Sequence, residues 1–350
     1  MSVNTRRILV VGPAWVGDMV MSQSLIGVLQ QQFQDAQIDM LAPGWSLPLV
    51  ARMPGVHKGI AMPLGHGEFG WSVRKKLGVE LRESHYHQAI VLPRSLKAAL
   101  VPFHARIPLR TGYLGEHRFL LLNDIRRMDK QRLNTTQKRY SALGLPKNAA
   151  LPAELPAPRL SIDADKARQL RTKWLPGANT IAAIVALMPG AEFGPAKQWP
   201  LAHFRELAKS LCEAGHQIVI LGSEKERLLG DTIAVGLGQR ARNLCGKTKL
   251  VDAVDLLSLA AAAVSNDSGL MHVAAAVNTP VVAIYGSSSP YFTPPLAANA
   301  RVIYKGLGCS PCFKRTCPLG HTRCLYEILP VEVDEAVNSL LAESAKPGSA

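Results

Sequence analysis

Val264-Ser265-Asn266-Asp267-Ser268-Gly269-Leu270-Met271-His272-Val273-Ala274-Ala275-Ala276 interrupts an apolar run with a carboxylate, a hydroxyl and a glycine, then resumes with helical spacing. The pattern predicts a strand that delivers Asp267 to its carboxyl end and a helix that opens after Ser268. At such a junction the first N–H groups of the helix are unpaired and the positive end of its dipole faces the strand terminus, which suits an anion such as phosphate. Ser268 and Gly269 let a ligand approach the backbone. Asp-Ser before a helix is equally the composition of a plain N-cap, so the stretch takes its meaning from two others.

The first is Ile8-Leu9-Val10-Val11-Gly12-Pro13-Ala14-Trp15-Val16-Gly17-Asp18-Met19, a buried-type strand, a glycine-bounded turn and an acid at a helix start. It lacks the glycine spacing of a dinucleotide fingerprint and the Lys-Ser/Thr of a P-loop. Asp18 stands where those motifs hold phosphate, and a carboxylate there suits a protonated partner such as an acceptor hydroxyl; a helix N-cap is the simpler alternative. The second is Met188-Pro189-Gly190-Ala191-Glu192-Phe193-Gly194-Pro195-Ala196-Lys197-Gln198-Trp199-Pro200, an irregular loop after an apolar run. Its one cation, Lys197, is either a solvated lysine or, beside a helix-start anion site, a phosphate clamp.

Strand-like and helical runs alternate along the chain, so the fold class is α/β, with parallel sheets covered by helices. Strands are predicted near Ile8–Val11, Ile38–Leu41, Ala89–Leu92 and Leu109–Gly112, and again near Ile181–Leu187, Ile218–Leu221, Ala263–Ser265 and Val281–Ile284. Helices are predicted near Met19–Gln32, Trp71–Glu83 and Leu96–His104. The proline-rich segment from Leu145 to Pro158 reads as a linker. It separates two doubly wound, Rossmann-like domains, 1–160 and 161–330, expected to face each other across a cleft. A final helix follows near 331–343, then a small, polar tail from Ser344 expected to be disordered.

The 350 residues are long enough for two cores, and 47% hydrophobic with 19% charged content is that of a globular chain. The apolar run after Arg6 and Arg7 ends at Gly12-Pro13, too short for a signal-peptide core, and no later run approaches a membrane span; a cytoplasmic location is expected. The net charge of +14 is concentrated in residues 1–160, which hold 21 Lys and Arg against 10 Asp and Glu. That half is suited to an acidic partner. Nucleic acid is one candidate, but the cations of this half are not interleaved with stacking aromatics; an anionic membrane surface or phosphorylated glycolipid fits as well.

Four of the six cysteines, Cys309, Cys312, Cys317 and Cys324, fall within sixteen residues. In a reducing compartment the open readings are a structural zinc knot, an iron–sulfur ligand set, or four reduced thiols. Cys212 and Cys245 are isolated and read as core residues.

Trp15-Val16-Gly17-Asp18-Met19, Met62-Pro63-Leu64-Gly65-His66-Gly67, Pro189 through Lys197, Asn266 through His272, and Phe292-Thr293-Pro294-Pro295-Leu296 together resemble the lipopolysaccharide heptosyltransferases of glycosyltransferase family 9. The Asp-Ser-Gly-Leu-x-His run marks the family widely, whereas Pro-Gly-Ala-Glu-Phe-Gly-Pro-Ala-Lys marks a narrower subgroup. The resemblance covers nearly the whole chain. It implies a GT-B fold, with an acceptor-binding first domain and a donor-binding second domain, and a last helix that packs back on the first domain.

The resemblance also implies inverting transfer of L-glycero-D-manno-heptose from ADP-heptose to heptosyl-Kdo2-lipid A. Asp18 is then the base. Lys197 and the amides of Ser268, Gly269 and Leu270 hold the ADP phosphates, and Asp267 binds donor hydroxyls. His272 contacts phosphate or orients Asp267, unless it is a core histidine. Glu192 is a further donor-site candidate, and the loop Asn243-Leu244-Cys245-Gly246-Lys247-Thr248, with Gly246 and Thr248, faces adenine. Arg74, Lys75, Lys76, Arg94 and Lys97 surround the acceptor's carboxylates and phosphates, or else form a solvated basic face.

No cofactor is required for such catalysis, and any zinc or iron–sulfur cluster at the cysteines is structural. The enzyme would act peripherally on the cytoplasmic face of the inner membrane, with no nucleic-acid partner. The competing classes are another GT-B transferase or a nucleotide-sugar epimerase, and a non-enzymatic, basic zinc-knot protein that binds nucleic acid.

Overall fold

The computed structural model describes residues 5–65, 67–175 and 183–344. His66, the first two residues of the predicted strand Ile181–Leu187, and the tail after Ser344 lie outside the described residues. The chain divides into two compact units, Met1–Pro158 and Arg159–Ala350.

In the first unit the strands are Arg7–Val11 (β1), Gln37–Pro43 (β2), Lys58–Met62 (β3), Gln88–Val91 (β4), Leu109–Tyr113 (β5) and Asp124–Arg126 (β6). They form one parallel sheet in the order β3-β2-β1-β4-β5-β6. The second unit holds Ile184–Met188 (β7), Gln217–Ile220 (β8), Ala241–Asn243 (β9), Ala262–Asn266 (β10), Val281–Tyr285 (β11) and Ala300–Tyr304 (β12). Its sheet, also parallel, runs β12-β11-β10-β7-β8-β9. Within each unit the chain starts in the middle, winds to one edge, returns and winds to the other. The direction of winding therefore reverses between β1 and β4 and between β7 and β10, where an open α/β sheet leaves a crevice at its carboxyl end.

The central strands are apolar runs because both sheet faces are covered. Leu9, Val11, Ala89 and Val91 share a buried cluster with Val101 and Ile107 in the first unit. In the second, Val185, Leu187, Ile218, Ile220, Val264, Val282 and Ile284 pack with Trp199 and Phe204. The edge strands β3, β6, β9 and β12 escaped sequence reading. They are short or partly solvated, so pairing with a neighbour is what makes them strands.

The last helix, Pro330–Ser344, corrects an expectation. Its stripe Val333, Val337 and Leu340 is buried in the second unit's core beside Phe204, Leu207 and Leu211 of the helix Leu201–Glu213. Ser210 Oγ donates to Asp334 Oδ2 at 2.7 Å across the same contact. Two complementary apolar faces at helical spacing, i, i+4, i+7 on one and i, i+3, i+7 on the other, pair here, so this helix is built into the second unit.

Candidate active site

The second unit's crevice lies where β7 and β10 part. Asn266, the last residue of β10 and fully buried, ties the two strand ends together. Its Nδ2 donates to the carbonyls of Pro189 at 2.8 Å and Gly190 at 3.3 Å, and its Oδ1 accepts the Trp199 N–H at 2.9 Å. Trp199 is itself fully buried, and its indole N–H donates to the Ile328 carbonyl at 2.9 Å. The loop between them is thereby pinned at both ends. Within it Gly194 has φ 151°, and a Cβ there would lie 2.5 Å from the Arg315 carbonyl oxygen. Glycine is required by this close approach.

The pinned loop brings Lys197 onto Asp267, with Nζ 2.5 Å from Oδ2 and side chains only 18% and 5% exposed. Thr293 Oγ1 donates to the other carboxylate oxygen at 3.4 Å. Immediately after Asp267 the helix Gly269–Ala276 begins at an extended Ser268, whose side chain makes no capping bond and instead meets Ser265 Oγ at 3.1 Å. A cation, a carboxylate and the open N-terminus of a helix thus converge at one strand end, an arrangement chemically suited to an anion such as phosphate.

His272 lies one turn into that helix, 4% exposed. Burial pushes its pKa down to about 4; Asp267 opposes the shift and Lys197 adds to it. Burial thus favours the neutral imidazole beside Asp267 in the unliganded protein.

On the other flank, Gly246 follows β9 in a left-handed conformation, φ 73°, and donates its N–H to the Gly222 carbonyl at 3.1 Å. Thr248 Oγ1 reaches the Leu244 carbonyl at 3.5 Å. Glu224 covers Gly246, and Glu226 lies against Gly190 and Gly222 while accepting the Ser223 N–H at 2.6 Å. Sequence reading did not single out these two carboxylates, which follow the second strand of the unit; Glu224 pairs with Arg227 at 3.0 Å, and Glu226 caps the turn that Ser223 opens. Glu192 points outward and pairs with Lys225 at 3.0 Å, both exposed.

In the first unit Asp18 sits in the first turn of the helix Val16–Gln32, half-buried, at the carboxyl end of β1. Desolvation, and after it the Asp18 charge, raise the pKa of Tyr140, a neighbour on the helix Thr136–Gly144 that sequence reading missed. Arg94 follows β4 on the other side of the same switch point and donates to the Leu114 carbonyl at 3.3 Å. Lys97 Nζ reaches the Glu68 carbonyl at 3.2 Å. Lys75 and Lys76 are exposed.

Arg74 is the exception among the basic residues. It is 6% exposed, and its guanidinium donates to the carbonyls of Phe69 at 2.7 Å, Lys97 at 3.3 Å and Glu68 at 3.3 Å. Its donors tie the carbonyls of Glu68 and Phe69 to that of Lys97, so the expectation that it meets an acceptor's anions is corrected. Helical spacing explains this: Arg74 turns inward with Leu77 and Gly78, away from Lys75 and Lys76.

Cys309, Cys312, Cys317 and Cys324 line one cavity of about 20 Å³, together with Ala196, His321 and Ser287. The Ser287 hydroxyl is buried without a hydrogen-bond partner. Backbone N–H groups of Thr322, Leu319, Gly320 and His321 draw the Cys317 thiol's pKa down, whereas burial and then the other three cysteines raise that of Cys324. Among the described residues no three cysteine, histidine or carboxylate side chains are yet gathered at metal-binding spacing. The same segment buttresses the Lys197 loop: the Ala196 N–H donates to the Arg315 carbonyl at 3.0 Å, and Arg315 and Lys197 both lie over the Phe193 ring, at 5.3 and 5.1 Å.

Comparison with known proteins agrees with this geometry. A profile of Glycosyltransferase family 9 (heptosyltransferase) matches residues 74–323. Lipopolysaccharide heptosyltransferase 2 of Escherichia coli K12 is 47% identical over 344 residues, 96% of this chain and 99% of that protein. Lipooligosaccharide heptosyltransferase 2 of Haemophilus ducreyi is 44% identical over 352 residues, again 96% and 99%. The solved structure of E. coli ADP-heptose LPS heptosyltransferase II superimposes with a TM-score of 0.86 at 44% identity, covering 97% of this chain and 100% of that one.

Proposed function

The chain belongs to glycosyltransferase family 9, the heptosyltransferases, and we propose that it moves L-glycero-D-manno-heptose from ADP-heptose to the first heptose of heptosyl-Kdo2-lipid A in lipopolysaccharide inner-core synthesis. The observation that carries the reading is the Lys197–Asp267 pair, 2.5 Å apart at the switch point of the second sheet and directly before an open helix N-terminus. When the donor enters, Lys197 and the amides of Ser268 to Leu270 take the diphosphate, and Asp267 is released to accept hydrogen bonds from the heptose hydroxyls. Gly246 and Thr248 lie on the adenine side, and Glu224 and Glu226 are placed for the ribose.

Inverting transfer needs a base at the acceptor and charge stabilisation at the departing diphosphate. Asp18 removes the proton from the acceptor hydroxyl as its oxygen attacks the anomeric carbon. The bond from that carbon to the diphosphate breaks, and the negative charge left on ADP is taken up by Lys197 and the helix amides. Lys75, Lys76, Arg94 and Lys97 attract the acceptor's carboxylates and phosphates. No cofactor is needed for this displacement.

The acceptor is a membrane glycolipid, so the enzyme works at the cytoplasmic face of the inner membrane, held there peripherally by its basic first unit. At the cysteines we propose a structural zinc ion or iron–sulfur cluster. Four thiols around a small cavity, an orphaned Ser287 hydroxyl in its wall, and amides turned toward Cys317 suit a thiolate ligand set. Mass spectrometry of the acceptor glycolipid after incubation with ADP-heptose tests the whole proposal. A mass gain of one heptose supports it; ADP release without glycolipid gain, or no turnover, refutes it.

A further inference from the structure

We propose that Phe69, Trp71 and Phe103 form an insertion surface for an anionic lipid bilayer. Their side chains are 50%, 49% and 39% exposed. They are not scattered. The Phe69 and Trp71 rings stack with centroids 6.4 Å apart, the Trp71 ring meets His104 edge-on at 5.3 Å, and His104 meets Phe103 at 5.4 Å. Single exposed aromatics are ordinary on protein surfaces, whereas a contiguous aromatic cluster in water marks a place that is covered in use.

The cluster is held in advance of any partner. Arg74, buried beneath it, grips the Phe69 carbonyl, and Arg82 Nε donates to the His104 carbonyl at 2.9 Å. The helix Trp71–Glu80 approaches the 101–105 segment so closely that a Cβ on Gly78 would lie 2.7 Å from the Val101 carbonyl oxygen. Little ordering is left to be done on binding, which favours a weak surface interaction.

The charge around it selects the partner. Lys75 and Lys76 project from the helix that Trp71 opens; Arg110, held by the carbonyls of Leu121 at 2.7 Å and Ile107 at 2.6 Å, adds a fixed positive charge over the Phe103 ring at 5.7 Å. Burial, and after it the charges of Lys75 and Arg82, push the pKa of His104 down, which places those two cations at the cluster itself. No acidic residue occurs in 69–79 or 84–115; Glu68 is turned onto the Gly65 N–H, and Glu80 and Glu83 lie farther along. Aromatic rings ringed by lysine and arginine match the interface of an anionic bilayer, where rings settle at headgroup depth and cations meet lipid phosphates.

This inference rests on the membrane-surface reading above, but vesicle binding, its first measurement, needs neither donor nor turnover. Wild-type protein is sedimented with phosphatidylcholine vesicles, with and without a quarter of phosphatidylglycerol. The expected result is binding that depends on phosphatidylglycerol and falls with salt. Phe69→Ser, Trp71→Ser and Phe103→Ser combined should weaken it by about tenfold or more, with unchanged melting temperature and unchanged turnover on a deacylated, soluble acceptor. In a second measurement, vesicles with acyl-brominated lipid should quench wild-type tryptophan fluorescence and leave Trp71→Phe largely unquenched. The proposal is overturned if wild-type protein ignores the anionic vesicles, if the triple variant binds them normally, or if Trp71→Phe is quenched like wild type. It is equally overturned if the triple variant loses turnover on the soluble acceptor, which would assign the cluster to acceptor recognition.

Discussion

Replacing Asp267 by asparagine should tighten the binding of ADP while slowing transfer from ADP-heptose. In the free protein the Lys197 ammonium is already neutralised by Asp267 at 2.5 Å, so an incoming diphosphate competes with that carboxylate. A full charge about 6 Å from the diphosphate, at an effective dielectric constant of about 20, opposes it by about 3 kcal/mol. Solvent and salt reduce this to about 1–2 kcal/mol, so ADP should bind about 5- to 30-fold more tightly to Asp267→Asn. Asparagine fills the same volume and can still accept from Thr293 Oγ1, so the fold should persist. The variant leaves Lys197 without its partner and should lose about 1–3 kcal/mol of stability, much of it restored by saturating ADP. Turnover should fall about 10- to 100-fold, because the heptose hydroxyls meet a neutral acceptor in place of a carboxylate. Isothermal calorimetry with ADP, thermal melts with and without ADP, and steady-state turnover give the three readouts. Unchanged or weaker ADP binding in a folded Asp267→Asn protein would refute the exchange of Lys197 from carboxylate to diphosphate.

Asp18→Asn should lower turnover by about 10²–10⁴-fold and leave the ADP dissociation constant within about twofold; near-normal turnover in the folded variant removes Asp18 as the base. Arg74→Ala should lower stability by about 2–4 kcal/mol, since three backbone carbonyls lose their donor. Lys75→Ala with Lys76→Ala should instead leave the denaturation midpoint unchanged, raise the acceptor KM and flatten its salt dependence, and the reverse pattern would show the assignment of these residues to be inverted. His272 has a folded pKa of about 4 against an ordinary 6.5, so the unfolded chain binds the extra proton. Its contribution, at most about 3 kcal/mol, is present above pH 6.5 and is lost as the pH falls toward 4; denaturant titrations of wild type and His272→Gln should differ in pH slope only within that window. Elemental analysis of protein purified without chelator should find zinc or iron at about one equivalent, and Cys312→Ser should lose both the metal and several degrees of melting temperature. Metal-free protein of full stability would establish four reduced thiols.

Local sequence was sufficient for the central strands, because a strand covered on both faces must be apolar throughout, as Ile8–Val11 and Val281–Ile284 are. It was sufficient also for the strand-end device of the second unit. A carboxylate at a strand end, a small residue and a helix start are a local device, and Asp267-Ser268-Gly269 carries it in consecutive positions. The edge strands β3, β6, β9 and β12 were not legible, since their conformation comes from the neighbour they pair with.

Tertiary structure decided what depends on direction and distance. Lys197 and Asp267 are 70 residues apart; each stood out in the sequence, but only the adjacency of β7 and β10 and the Asn266 tether make them one ion pair. Arg74, Lys75 and Lys76 are three consecutive cations whose chemistry diverges because a helix turns by about 100° per residue, committing the first to buried carbonyls and the others to solvent. The final helix likewise showed its apolar stripe in the sequence, but which core it would cover was set by the matching stripe at Phe204, Leu207 and Leu211. Residue type and spacing thus determined which groups are available for chemistry, and packing determined which of them stay exposed or meet at a strand end and which are committed to holding the fold.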